Sequence, residues 1–175
     1  MIRRGIHASV IIDGDGRTVI PESTIMEPGC ILYTGRGAVI ELGEENTFYP
    51  ACVIRVEHGF VKTGRRVSFG PHCTLYETRG GLTIGDNTLI AGGVSICGAE
   101  HGFARTDIPM RDQETSALPV VIGADVWIGM GAIIMPGAII GDGCVIGAGS
   151  VVTGEVPPYS VGKGVPFRKS RDRRQ

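Results

Sequence analysis

From Ile122 onward the chain repeats every six residues. The blocks run Ile122-Gly-Ala-Asp-Val-Trp, Ile128-Gly-Met-Gly-Ala-Ile, Ile134-Met-Pro-Gly-Ala-Ile, Ile140-Gly-Asp-Gly-Cys-Val, Ile146-Gly-Ala-Gly-Ser-Val and Val152-Thr-Gly-Glu-Val-Pro. Each opens on Ile or Val, and each fifth place is small or β-branched: Val126, Ala132, Ala138, Cys144, Ser150 and Val156. A period of six suits neither an amphipathic helix nor a straight alternating strand. It suits a short strand, a Gly-rich corner and another short strand, three such sides closing a triangular coil. Successive coils then stack by parallel pairing about 4.8 Å apart, with the first position inside and the fifth at a crowded corner. Glycine at the second and fourth positions is expected to supply backbone angles that a Cβ hinders.

The same grammar recurs upstream. Ile84-Gly-Asp-Asn-Thr-Leu, Ile90-Ala-Gly-Gly-Val-Ser and Ile96-Cys-Gly-Ala-Glu-His form a clean triplet. Looser blocks precede it at Ile20, Met26, Phe48 and Phe69. Between these, Gly35-Arg36-Gly37, Glu44-Glu45 and Gly64-Arg65-Arg66 slip the register and read as corner insertions. About six coils are expected, in a single all-β domain over residues 1–175. Its clean repeats span 82–101 and 120–157, its excursion loop 102–119 and its C-terminal tail 158–175.

A content of 28 glycines in 175 residues could also belong to collagen or to a disordered chain. Gly does not recur at every third place, which rules out collagen, and 42% hydrophobic content with a net charge of -1 argues against disorder. The same charge and a pI near 6.4 argue against a nucleic-acid binder. No apolar run approaches the length of a membrane span. The Met1-Ile2-Arg3-Arg4 start leads into Asp13-Gly14-Asp15 rather than a long apolar region, so a cytoplasmic location is expected. Cys30, Cys52, Cys73 and Cys144 fall on fifth positions and Cys97 on a second position, which makes them packing material rather than ligands. The tail Arg168-Lys169-Ser170-Arg171-Asp172-Arg173-Arg174 reads as solvated, or as a partner for phosphate.

One segment breaks the grammar outright, the eighteen residues from Gly102 to Pro119. Long insertions in compact folds are functional or disordered, and this one mixes apolar residues with charges, as a docking segment would. His101 stands at its entrance on the sixth position of a block, where a side chain faces outward. An imidazole there is suited to taking a proton from a hydroxyl or amine near neutral pH. Spacing alone leaves open whether it does so. The other histidines are His7, His58 and His72.

Over residues 82–168 the chain resembles the hexapeptide-repeat acyltransferases, and within them the sugar, polysaccharide and xenobiotic O-acetyltransferases. The residues that carry the likeness are Ile84-Gly-Asp-Asn, His101, Pro119-Val-Val-Ile-Gly-Ala-Asp-Val-Trp-Ile-Gly, Gly147-Ala-Gly-Ser-Val-Val-Thr, Val156-Pro-Pro-Tyr-Ser-Val and Gly164-Val-Pro-Phe-Arg. Over residues 1–80 the likeness is weak. It implies a left-handed parallel β-helix, a homotrimer with active sites between prisms, and acetyl-CoA as donor with no metal. It implies His101 as general base for direct transfer without an acyl-enzyme, Glu114 as a group orienting the imidazole or acceptor, and Trp127 lining the cleft. Ala91, Gly129, Met130, Ala148, Thr153, Pro166 and Arg168 match coenzyme contacts, and Arg168 and Arg171 are matched to its phosphates. The chain departs from the family in Thr153-Gly154-Glu155, where a lysine is frequent. It also lacks the polar sugar contacts of the galactoside and maltose enzymes near residues 71–79, which points away from a simple free disaccharide and toward a hydroxyl on a sugar unit of a surface polysaccharide or glycan precursor. The rival readings are amino-sugar N-acetylation, a non-catalytic scaffold, and a β-helical carbonic anhydrase. The last needs a tighter histidine spacing than the fourteen residues between His58 and His72.

Overall fold

The computed structural model describes residues 5–175, so the Met1–Arg4 start lies outside the described residues. Three parallel sheets of short strands wrap a single core. Face A carries Ile25–Met26, Thr47–Phe48, Ser68–Phe69, Leu89–Ile90, Trp127–Ile128, Val145–Ile146 and Ser160–Lys163. Face B carries Ile11–Asp13, Ile31–Thr34, Val53–Val56, Thr74–Tyr76, Ser95–Cys97, Ile133–Ile134 and Val151–Val152. Face C carries Arg17–Val19, Val39–Glu41, Phe60–Thr63, Leu82–Ile84, Val120–Ile122, Ile139–Ile140 and Glu155–Val156. The chain visits the faces in rotation and makes a left-handed parallel β-helix of about seven turns. The additional turn is the first, whose Asp13–Gly16 corner and exposed Ile11 and Ile12 disguise its periodicity.

The three edges of the prism obey different rules. From face A to face B the inward residues are always six apart: Met26 to Leu32, Phe48 to Ile54, Phe69 to Leu75, Ile90 to Ile96, Ile128 to Ile134 and Ile146 to Val152. From face C to face A the interval is again six, at Leu42 to Phe48, Thr63 to Phe69, Ile84 to Ile90, Ile122 to Ile128 and Ile140 to Ile146. Only the edge from B to C varies. It spans four residues at Val152 to Val156 and twenty-six at Ile96 to Ile122, where the excursion leaves the prism.

This corrects three readings of the repeat. Glu44–Glu45 and Gly64–Arg66 are regular corners, with Glu45 and Arg66 at the fourth position in the left-handed region, φ 59° each. The genuine insertions are Gly35–Gly37, Glu57–Gly59 and Glu77–Gly81, all on the B-to-C edge. The last block is shortened by two, so Val156 points inward and buried Ser160 takes the fifth position, its Oγ donating to Pro157 O at 2.6 Å.

Glycine serves the two corner positions differently. At the fourth position Gly131, Gly137, Gly143 and Gly149 hold φ between 66° and 77°. At the second position no such angle is required; on the C-to-A edge the constraint is the approach of the next coil. A Cβ on Gly85 would lie 2.5 Å from Ala124 N and 2.6 Å from Gly123 C. Elsewhere the corners are filled by buried polar groups with partners. Asn46 donates to Gly43 O at 2.9 Å and to Thr63 Oγ1 at 2.6 Å, and its Oδ1 accepts from Val67 N at 2.7 Å. Inside face A, Phe48 and Phe69 stack with centroids 4.6 Å apart.

The tail forms a paired strand whose side chains remain largely exposed. Arg168–Asp172 pairs antiparallel with Ser160–Lys163 and covers the edge of face A, an edge that would otherwise invite further strand pairing. Arg173 Nη1 donates to Asp125 Oδ2 at 2.8 Å and to Gly143 O at 3.2 Å. Arg174 beside Asp172 holds that carboxyl well below the usual carboxylate range.

The two glycine roles separate in a stability measurement. Gly85→Ala should cost about 3 kcal/mol in urea unfolding, because the clash is with backbone that cannot rotate away. Gly131→Ala meets open space and should cost about 1 kcal/mol for the left-handed angle alone. Equal losses would show that φ governs both positions.

Candidate functional site

His101 ends the strand Ala99–His101, which leaves the B-to-C edge and pairs antiparallel with Thr115–Ala117. The hairpin rests on the enlarged corner of the coil below. A Cβ on Gly98 would lie 3.1 Å from Thr78 Cα, and one on Gly80 would lie 2.6 Å from Leu118 O. Only backbone fits at that seam. Beyond it the loop is organised by Gln113, whose Nε2 donates to Arg105 O at 2.8 Å and whose Oε1 accepts from Arg105 N at 3.1 Å. Met110–Asp112 forms a single 3-10 turn. Phe103 and Met110 stand out from the loop at 70% and 64% exposure.

One open pocket of about 170 Å³ collects Tyr76, Glu77, Arg79, Cys97, Ala99, Glu100, His101 and Thr115. Glu114 is not among them. In the hairpin His101 sits opposite Thr115, and Gly102 N donates to Glu114 O at 3.1 Å. Glu114 precedes the strand Thr115–Ala117 and borders a second recess, with Arg105, Ile108 and Gln113. Among the described residues no hydrogen bond joins it to His101.

Ala91, Gly129, Met130 and Ala148 lie together on the A-to-B edge in successive coils, linked by Ala91 N to Ile128 O at 2.9 Å and Gly149 N to Met130 O at 2.9 Å. Pro166 continues this row, since Phe167 N donates to Val151 O at 2.8 Å. Arg168 and Arg171 follow on the covering strand, and among the described residues neither makes an ion pair. Thr153 stands apart, at the shortened B-to-C corner. Trp127 projects from face A at 54% exposure between Leu89 and Val145.

The expected residues therefore form two groups. His101 belongs to the B-to-C edge, while Trp127 and the row from Ala91 to Ala148 belong to face A and its border with face B. Neither Trp127 nor any residue of that row lines the His101 pocket. Reading the repeat missed Tyr76, Glu77 and Arg79, because they come from the coil before His101. The available signal was Glu77–Gly81, which breaks the period on the edge from which the excursion departs.

The histidines are dispersed: His58 stands on the B-to-C edge and His72 on the A-to-B edge. Among the described residues no three His, Cys, Asp or Glu side chains gather to hold a metal. Among the same residues, no helix is long and apolar enough to cross a membrane.

Residues 119–154 match the family described as bacterial transferase hexapeptide, six repeats. A probable acetyltransferase of Mycobacterium tuberculosis is 33% identical over 137 residues, 78% of this chain and 43% of the relative. Galactoside O-acetyltransferase of Escherichia coli is 44% identical over 91 residues, 52% of this chain and 44% of the relative. Among solved structures, a hexapeptide-repeat-containing acetyltransferase of Vibrio cholerae complexed with acetyl coenzyme A is 30% identical. It covers 75% of this chain and 70% of its own, with a TM-score of 0.67. The chain spans about half the length of the curated relatives it matches, between 43% and 66%.

The pocket carries its own reporter. Cys97 is half-exposed there and donates to Ala99 O at 3.0 Å, whereas the other four thiols are buried. An aromatic disulfide reagent should therefore label one thiol per native chain, at Cys97, and the remainder only in urea. Rapid labelling of two or more native thiols would contradict this packing.

Proposed function

Because the chain belongs to the hexapeptide-repeat acetyltransferases, we propose that it transfers the acetyl group of acetyl-CoA to a hydroxyl of a sugar unit. The proposed enzyme is a homotrimer with active sites between subunits. The observation that carries this reading is the separation of the two groups of residues. His101 and the coenzyme row occupy different edges of one prism, across the full width of face B. A neighbouring copy supplies the missing half of each site.

The row is suited to the donor. Ala91, Gly92, Gly129, Gly131, Ala148 and Gly149 present no side chain beyond Cβ, so an extended pantetheine arm meets backbone and small surfaces. Arg168 and Arg171 stand at its end for the phosphates, where guanidinium pairs are strong. The apolar loop tips Phe103 and Met110 are the sort of surface that a second prism covers.

In the proposed step His101 removes the proton of the acceptor hydroxyl as its oxygen attacks the thioester carbonyl carbon. The C–O bond forms, and the carbonyl becomes an oxyanion held by a backbone N–H. Collapse breaks the C–S bond, and the imidazolium returns its proton to the departing thiolate. The products are the acetyl ester and CoA, with no acyl-enzyme. The 44% identity to a galactoside O-acetyltransferase over 91 residues supports a sugar hydroxyl as acceptor.

His101→Ala should lower acetyl transfer by about 10²–10⁴, the worth of a general base, with melting temperature and oligomeric state unchanged. Wild-type turnover in that variant would remove His101 from the mechanism. Separately, Arg168→Ala with Arg171→Ala should raise the KM for acetyl-CoA about tenfold with kcat held, as lost phosphate contacts do. An unchanged KM would place the phosphates elsewhere.

A further inference from the structure

The pocket that His101 borders is lined also by Tyr76, Glu77 and Arg79, from the coil before it. Arg79 Nε donates to Glu77 Oε2 at 2.8 Å, and the two side chains are 39% and 18% exposed. Among the described residues no other hydrogen bond engages the guanidinium or Glu77 Oε1. The pair is held firmly. Glu77 sits in the left-handed region at φ 51°, a conformation that costs a non-glycine residue roughly 1–2 kcal/mol. Both ends of its corner are pinned under the hairpin by the close approaches at Gly98 and Gly80. Tyr76 stands beside it on face B, 46% exposed.

A fixed carboxylate oxygen next to uncommitted guanidinium N–H groups is one acceptor and a set of donors at constant spacing. Two adjacent hydroxyls complement it, one donating to Glu77 and the other accepting from Arg79, since a hydroxyl can do either. The Tyr76 ring offers an apolar surface to the C–H face of a pyranose. Glu100, with no ion pair among the described residues, and Glu77 together disfavour an anionic acceptor at this wall. We infer that Tyr76, Glu77 and Arg79 form the acceptor subsite and select a neutral sugar ring carrying two adjacent hydroxyls, with a further hydroxyl presented to His101. The inference rests on the acetyl-transfer reading above.

The test measures acetyl transfer to methyl glucoside, galactoside and mannoside, to their monodeoxy analogues and to the matching uronic acids. It uses the wild type, Glu77→Gln and Arg79→Met, with melting temperature and acetyl-CoA KM recorded for each. The wild type should use a neutral glycoside and lose about tenfold or more on the uronic acid or on removal of one of two adjacent hydroxyls, since a site built to bond a hydroxyl rejects its absence. Both variants should raise the acceptor KM about tenfold with acetyl-CoA KM and melting temperature unchanged, and in Arg79→Met the deoxy penalty should vanish. The inference is overturned by a deoxy penalty that persists in Arg79→Met. It is also overturned by an unchanged acceptor KM, or by a wild type that binds acetyl-CoA yet acetylates no glycoside. A wild type that fails to bind acetyl-CoA at all counts instead against the acetyl-transfer reading.

Discussion

Everything in this molecule depends on coils stacking backbone against backbone at the parallel-strand spacing of about 4.8 Å. Two edges of the prism keep six residues per side throughout, and on the C-to-A edge the second corner position meets the next coil so closely that a Cβ on Gly85 would overlap Ala124 N. No residue can be inserted at such an edge without lifting one coil from the next. The core follows from that restriction. Ile, Val, Leu and Phe alternate in columns, with Cys30, Cys52 and Cys73 as small plugs at one corner, their thiols donating to carbonyls of the adjoining coil.

The third edge is released from this restriction, and the irregular segments collect there. Glu57–Gly59, Glu77–Gly81 and the excursion beyond Gly98 all emerge from it. His101, Glu77 and Arg79 thus come from different coils yet border one pocket. Neither regular edge could have provided it. The small residues that make a regular edge stackable instead leave a smooth strip, and that strip carries the row from Ala91 to Ala148.

Much of this was legible in the chain itself, for reasons that differ along its length. From Ile122 to Ser150 the inward Ile, the small fifth residue and the glycines agree, so core, corners and the break at Gly102 could all be read. Upstream the corners accept Glu45 and Arg66 in the left-handed region because those side chains point to solvent, and Leu42 and Thr63 take places held by Ile elsewhere. Regular corners there looked like insertions. The shortened turn before Val156 hid itself because Val is permitted at both the first and fifth positions. The pocket wall was unreadable because Tyr76 and His101 are twenty-five residues apart and meet only through stacking. Glu114, five residues before Pro119, borders a different recess from His101, a division that spacing along the chain does not reveal.

In the proposed trimer one prism carries the base and another the coenzyme strip that serves it. Mixing two variants, each inactive alone, tests that division: His101→Ala, and a second with the strip obstructed by Ala148→Arg. The two are unfolded together, refolded and assayed for acetyl transfer. Random assortment in a cyclic trimer makes about a quarter of the sites whole, so activity should return to about that fraction of wild type. A mixture that remains as inactive as its components would show that His101 and the strip serve the same site from within one chain.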